Sequence, residues 1–341
     1  MSRLARCEVI DPLEVTVAHV MNRTVRRCFL MGDDPVSGNN FDHRKIWIEE
    51  LLEHFAGHFG IDLLCFSILS NHYHLILRTR PDVVTKWSDT EVARRWLSIC
   101  PARANTGTPR QPSESDLNTI RNCPIKLAEI RSRLSSISWW MRLLNQRIAQ
   151  RSNKEDQESG RFWQDRYKVV RLIDEESLLA CAVYVELNPL RAGLCKSIEQ
   201  SKHTSIQRRI QSERSQQVVE KRRDAFLAEL TLTRTDSTSE SGPTRFRCSH
   251  KGFLPLELDE YLKLLAWTVS NCVRRRQVPT QEPPILRCLG ITRASWQQLV
   301  TNFTDSYCHV AGRTDRIETI RSHQTSRRFN IPKSGRHLLA A

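Results

Sequence analysis

No stretch of this 341-residue chain approaches the roughly 18 consecutive apolar residues of a membrane-spanning helix. Behind Met1–Arg6 come polar and acidic residues in place of a secretory apolar core. These two absences lead us to expect a protein of the cell interior with no membrane partner. No internal repeat is present, which sets aside solenoid and propeller architectures. The 11 cysteines are odd in number and include no CxxC pair, so neither a zinc knuckle nor a disulfide framework is indicated. Reduced, mostly buried thiols are expected instead. An Asp-rich two-metal nuclease site is missing as well. A two-histidine phosphoesterase would need paired His-x-Thr/Ser motifs on adjacent strands. His72-Tyr73-His74 does not fit that pattern, and His323-Gln324-Thr325 lies in a basic tail outside the expected folded core.

What the chain does have is positive charge. Its 52 Lys and Arg face 38 Asp and Glu, a formal +14 with a pI near 9.6. Such an excess points toward a polyanionic partner, because basic side chains that neutralise phosphates release counterions. At 39% hydrophobic and 26% charged the composition is that of a folded protein. At roughly 150 residues per domain, the length fits about two domains or one elaborated domain.

A strand is predicted over Leu13–Met21, then a turn-rich loop from Gly32 to Asn40. An amphipathic helix follows from about Asp42, its N-cap, to Phe59, and Gly60 ends it. Ile61–Leu69 and His72–Leu77 read as two strands about a polar corner, so the start is β-α-β-β and fits a small α+β sheet. Residues 101–125, with four prolines, read as an irregular excursion. A long helix is expected over Ile125–Arg151, with Trp140, Leu143, Leu144 and Ile148 on one face. Its stretch Arg131–Asn153 holds five arginines and no acid. Arg161–Leu172 reads as extended, Glu175–Leu187 as helix and Thr231–Thr244 as linker. By composition, residues 201–245 form a basic helix and linker, and 246–341 a small, mainly helical module ending in a basic tail.

The signal that carries chemistry is SNHYHLIL at 70–77. Side chains two apart on a strand share a face, so His72 and His74 converge while Tyr73 turns away. Two neutral imidazoles presented this way are either half of a divalent-metal site or a hydrogen-bonded pair at a sheet edge. In AVYVELNPLRAGL, residues 182–194, Tyr184 and Asn188 stand four apart, on one face of a helix. They would bring a hydroxyl and an oxygen ligand to the same place.

Four segments now stand in order: the His19–Arg23 strand end, Asn71–His74, GRFWQDRYK at Gly160–Lys168, and YVELNPLRAG at Tyr184–Gly193. On them, residues 10–200 resemble the single-tyrosine HUH transposases of bacterial insertion sequences, the REP-associated tyrosine transposases in particular. The resemblance implies a ferredoxin-like α+β catalytic domain with a central antiparallel sheet, here with an insertion at about 88–155. It implies Mg²⁺ or Mn²⁺ held by His72, His74 and Asn188. Tyr184 would attack a phosphodiester of single-stranded or hairpin DNA, leaving a 5′-phosphotyrosine and a free 3′-hydroxyl that can later rejoin ends. A cytoplasmic, nucleoid-associated enzyme is implied, with dimer and monomer both open. Two features depart from the family: the path of about 110 residues from His74 to Tyr184 is longer than is common, and Pro189 disfavours helical geometry at Asn188.

Arg23, Arg142, Arg161, Arg166, Lys168 and Arg191 are the candidates for DNA contact. Blander roles stand beside them: Trp139 and Trp140 would stack on bases or fill core, and Arg191 would bind phosphate or cap a helix end. The alternative to an active transposase is a DNA-binding protein or repressor of the same fold that has lost cleavage. The joint presence of His72, His74, Tyr184 and Asn188 favours activity.

Overall fold

We describe the protein from a computed structural model, over residues 9–102, 108–215, 223–232, 246–273, 281–322, 335 and 338–339. The chain is mixed α+β. Strand β1 (Val17–Arg23) leads to helix α1 (His43–His58), then β2 (Ile61–Ile68) and β3 (His72–Thr79). Helices α2 (Pro81–Val84), α3 (Asp89–Ile99), α4 (Glu114–Arg121), α5 (Pro124–Leu134) and α6 (Ile137–Asp156) precede β4 (Lys168–Leu172). Then come α7 (Glu175–Glu186), α8 (Asn188–Arg191), α9 (Ser205–Ser215), α10 (Leu258–Thr268), α11 (Pro284–Cys288), α12 (Arg293–Ser306), β5 (Val310–Ala311) and α13 (Thr314–Ser322). No helix among the described residues is long and apolar enough to cross a membrane.

The five strands form one sheet in the order β2-β3-β1-β4-β5, antiparallel except for the short β4–β5 pair. Both faces are covered, and strand periodicity sorts the side chains between them. Ala18, Val20, Tyr73, Leu75 and Leu77 enter the core beneath α1 and α6. Ile76, Val170 and Leu172 enter the core shared with α7, α10 and α12. With cover on both sides, β2 reads as a nearly continuous apolar run.

Helix α7 is buried from Glu176 to Glu186, held between the sheet and α12. The Asp174 carboxylate caps it by accepting from the Ser177 amide at 2.9 Å. Its end lies at Leu187, and Pro189 then opens α8, where a missing N–H costs nothing. Residues 246–341, expected as a small module, supply α10 and α12, which complete this same core.

Several expectations need correcting. The helix expected over Ile125–Arg151 breaks at Ser135, where Leu134 ends α5 and its carbonyl accepts from Gly60 N instead of continuing the ladder. The first strand starts at Val17, not Leu13, which is 84% exposed. Asp42 flanks α1, but its carboxylate accepts from Lys45 Nζ at 2.7 Å and caps no amide. Gly60 is required by close packing: a Cβ there would lie 2.0 Å from Val84 Cγ2. Of the cysteines, Cys65, Cys181, Cys248 and Cys272 are buried, whereas Cys123 and Cys288 sit exposed at helix ends and Cys308 in the bend before β5, and all those described are free thiols. The linker expectation falls largely outside the described residues, as do Cys7, His323-Gln324-Thr325 and most of the basic tail.

Candidate active site

The site begins with strand register. Met21 lies opposite His74 and Arg23 opposite His72 across β1 and β3, while Lys168 of β4 faces Met21 from the other side. Alternation therefore gathers His19, Met21, Arg23, His72 and His74 on one face at one end of the sheet. Helix α7 crosses that face and delivers Tyr184, and the Leu187 break sets Asn188 one turn on. Together they line a cleft of about 660 Å³ that contains His72, His74, Tyr184 and Asn188, with Arg23, Arg27, Lys168 and Arg191 as its cations. Tyr73 turns to the opposite face, where its hydroxyl donates to Asn145 Oδ1 at 2.6 Å.

The histidines form a chain. The rings of His72 and His74 meet edge to face with centroids 5.1 Å apart, and His74 lies nearly coplanar with His19, edge to edge, at the same separation. His72 Nδ1 lies 2.7 Å from Asn71 Oδ1, whose amide nitrogen donates to the Arg27 carbonyl. That arrangement puts the proton on Nδ1 and leaves the lone pair on His72 Nε2. His74 Nδ1 lies 2.8 Å from His19 Nε2, and His74 Nε2 is buried without a hydrogen-bond partner. With the shared proton on His74 Nδ1, its Nε2 too offers a lone pair.

Burial, followed by the nearby Arg23 and Arg191 charges, pulls His72 down to about 3. Burial alone does the same to His19. His74 falls well below its ordinary value through burial and then its two histidine neighbours. All three are therefore neutral near pH 7, the form that can ligate a cation. Among the described residues no group of three His, Cys, Asp or Glu is arranged to hold a metal. A divalent ion here would rest on the two imidazoles and the Asn188 carboxamide oxygen.

Tyr184 is enclosed. Only 7% of it is exposed, its ring stands edge-on to His74 at 5.5 Å, and Phe303 of α12 tilts against it at 5.9 Å. Its hydroxyl lies 3.2 Å from Thr304 Oγ1. Arg191 sets its guanidinium 3.9 Å above the ring while donating to the carbonyls of Tyr184 (2.9 Å), Thr301 (3.1 Å) and Val300. It thus ties α7 to α12 from the inside. Neither outward phosphate contact nor simple helix capping describes that engagement.

The other candidates for DNA contact divide. Arg23 and Lys168 line the cleft, whereas Arg142 and Arg166 line a second concavity, of about 460 Å³, on the far side of the sheet. Arg161 is exposed and lines neither. The arginines of stretch 131–153 are mostly engaged within the chain, at half-buried or exposed positions: Arg131 pairs with Asp89, Arg133 with Glu129 and Arg151 with Glu50, and Arg147 donates to the Ile99 carbonyl. Trp140 is fully buried against Phe55 and Phe59, as core. His19 and Thr304 were not among the expected site residues. Strand alternation puts His19 on the face of Met21 and Arg23, a signal the sequence offered; Thr304, 120 residues from Tyr184, announced itself in no local pattern.

No family model matches the chain, and no curated protein matches it. A solved structure, that of a REP-associated tyrosine transposase bound to a REP hairpin, aligns over 62% of this chain and 87% of its own, at 13% identity and a TM-score of 0.34.

Proposed function

We propose that this protein is a transposase of the REP-associated tyrosine type, cutting and rejoining single-stranded or hairpin DNA through Tyr184. The observation that carries this reading is that one cleft assembles, from segments far apart in sequence, a tyrosine, two neutral histidines, an asparagine and four cations. A ferredoxin-like frame is part of the proposal. It is supported by four strands ordered β2-β3-β1-β4 with all neighbours antiparallel and α1 linking β1 to β2.

Arg23, Arg27 and Lys168 would draw the DNA phosphates into the cleft. The Tyr184 hydroxyl gives up its proton as its oxygen forms a bond to phosphorus, the P–O3′ bond breaks, and the departing oxygen takes up a proton as a free 3′-hydroxyl. Because the phosphotyrosine keeps the bond energy, attack by another 3′-hydroxyl reverses the step and joins new ends. The Arg191 guanidinium places fixed positive charge beside the ring where negative charge gathers. His72, His74 and Asn188 would hold Mg²⁺ or Mn²⁺, and the orphaned His74 Nε2 fits that role. Such an ion, when bound, neutralises and orients the scissile phosphate.

A second reading, DNA binding without cleavage, draws on the enclosure of Tyr184 beneath α12. One experiment separates the two. A random-sequence pool of labelled single-stranded DNA is incubated with the protein and Mn²⁺, and label surviving denaturation on the protein is measured. Wild type is expected to retain label and Tyr184→Phe to lose it while still binding the pool. Retention by the variant removes Tyr184 as nucleophile, and binding by wild type without adduct favours the second reading.

A further inference from the structure

Behind the cleft, on the α6 side of the sheet, lies the second concavity. Trp139, Trp163 and Tyr167 supply flat aromatic walls, Arg142 and Arg166 stand at its rim, and Asn22 and Asn145 contribute carboxamides to its lining. Neither amide can point arbitrarily. Asn22 Oδ1 accepts from the Arg23 amide at 3.0 Å, and Asn145 Oδ1 accepts from the Tyr73 hydroxyl at 2.6 Å. With each oxygen oriented by the bond it accepts, the NH₂ of each residue is turned the other way, so both present donors. Trp163 is itself fixed, its indole N–H donating to the Asn145 carbonyl at 2.9 Å. Trp139 is held under Arg133 and Arg142, at 4.3 and 4.8 Å.

This concavity shares a strand end with the cleft. Arg23 lines the cleft and its neighbour Asn22 the concavity; Lys168 lines the first and Arg166 the second. A single strand held by Arg23 and Lys168 therefore needs only to bend around the ends of β1 and β4 to reach Arg166 and Arg142. Aromatic walls bind any base by stacking, whereas two carboxamide donors, with the Asp165 carboxylate as acceptor in the same lining, favour bases that carry carbonyl oxygens next to a ring N–H.

We propose that this concavity holds one unpaired keto base, guanine or thymine, of the same strand whose backbone enters the cleft, and so contributes to the choice of cutting position. The proposal rests on the reading of the chain as a DNA-cleaving enzyme. Its test uses the full chain and short single-stranded oligonucleotides. Oligo(dT) carrying one 5-iodouracil is irradiated with the protein, and the cross-linked peptide is identified; attachment to Trp139, Trp163 or Tyr167 is expected. In parallel, the ratio of dissociation constants for oligo(dA) over oligo(dT) is measured for wild type and for Asn22→Asp/Asn145→Asp. That variant keeps both accepted hydrogen bonds but replaces the donors by acceptors. The added charge weakens both oligonucleotides alike, whereas the ratio should fall by about fivefold or more for each donor lost.

Cross-links confined to other residues, or an unchanged ratio, overturn the proposal. Adduct on the random-sequence pool without cross-links at these aromatics leaves cleavage standing and removes the base pocket. Cross-links there without any adduct keep the pocket and remove the cleavage reading.

Discussion

At the scale of single residues, what most needs explaining is why His74 points a bare nitrogen into a closed space. With the shared proton on His74 Nδ1, His19 answers part of it by accepting there and so turning the opposite lone pair inward, which leaves its own buried Nδ1 without a partner. Partners of this kind typically cost 10- to 100-fold in metal affinity or activity when removed. His19→Ala is therefore expected to raise the Mn²⁺ concentration needed for half-maximal adduct formation by about that factor, with the same adduct at saturating metal. An unchanged metal titration would leave His19 as core. Thr304 calls for the opposite outcome. Its hydroxyl holds that of Tyr184 at 3.2 Å, and a hydrogen bond contributes on the order of 1 kcal/mol. Thr304→Val keeps the shape and releases the tyrosine, so the initial rate of adduct formation should rise about fivefold. A rate equal to or below that of wild type would show that Thr304 does not restrain the nucleophile. The pairing of His72 with His74 was legible because period two is a property of any strand. The role of His19 depended on cross-strand register, which a single segment does not display.

Among elements, α7 and the sheet edge illustrate both what local pattern reveals and where it stops. The apolar run of α7, its Asp174 cap and the stop at Pro189 are all local, and the helix lies where they place it. The break at Ser135 is not local, because it arises where Gly60 N takes the Leu134 carbonyl. The attachment of residues 246–252 is likewise tertiary. Asp62 of β2, 1% exposed, accepts from Ser249 Oγ at 2.8 Å and pairs with Arg78, whose other nitrogens donate to the carbonyls of Lys251 and Gly252. Burial pushes the Asp62 carboxyl upward, but Arg78, the Cys248 thiol and Arg80 outweigh it and hold the group below the usual carboxylate range. A depressed carboxylate contributes stability that is present above about pH 4 and lost as pH falls through the folded-state value. Asp62→Asn should cost about 3–5 kcal/mol at pH 7, because it strands a buried guanidinium. Urea unfolding at pH 7 and at acid pH checks both parts. The variant's deficit should shrink on acidification, and a deficit independent of pH would detach the effect from Asp62 ionisation.

For the molecule as a whole, the +14 excess says less than where the charge ends up. Arg44, Arg78, Arg80, Arg95, Arg131 and Arg208 are spent on internal ion pairs. The cations that line open concavities are instead divided between the two ends of one path, with Arg23, Arg27, Lys168 and Arg191 at the cleft and Arg142 and Arg166 behind it. Composition could announce a polyanion but not this division, since the arginine-dense stretch 131–153 leaves mainly Arg142 facing a concavity. Each phosphate neutralised on a single strand contributes about 0.7 to the slope of log K against log salt. Arg142→Ala/Arg166→Ala should thus flatten that slope by about 1.4 for a single-stranded oligonucleotide. Arg161→Ala, on a residue exposed outside both concavities, should leave it unchanged. Slopes measured by fluorescence anisotropy across a salt series decide the matter. If Arg161→Ala flattens the slope as much as the double variant, the charge acts as a diffuse surface field and the path around the sheet end is wrong. If only the double variant does, phosphates of the strand reach the α6 side, because the two arginines line the concavity on that side of the sheet.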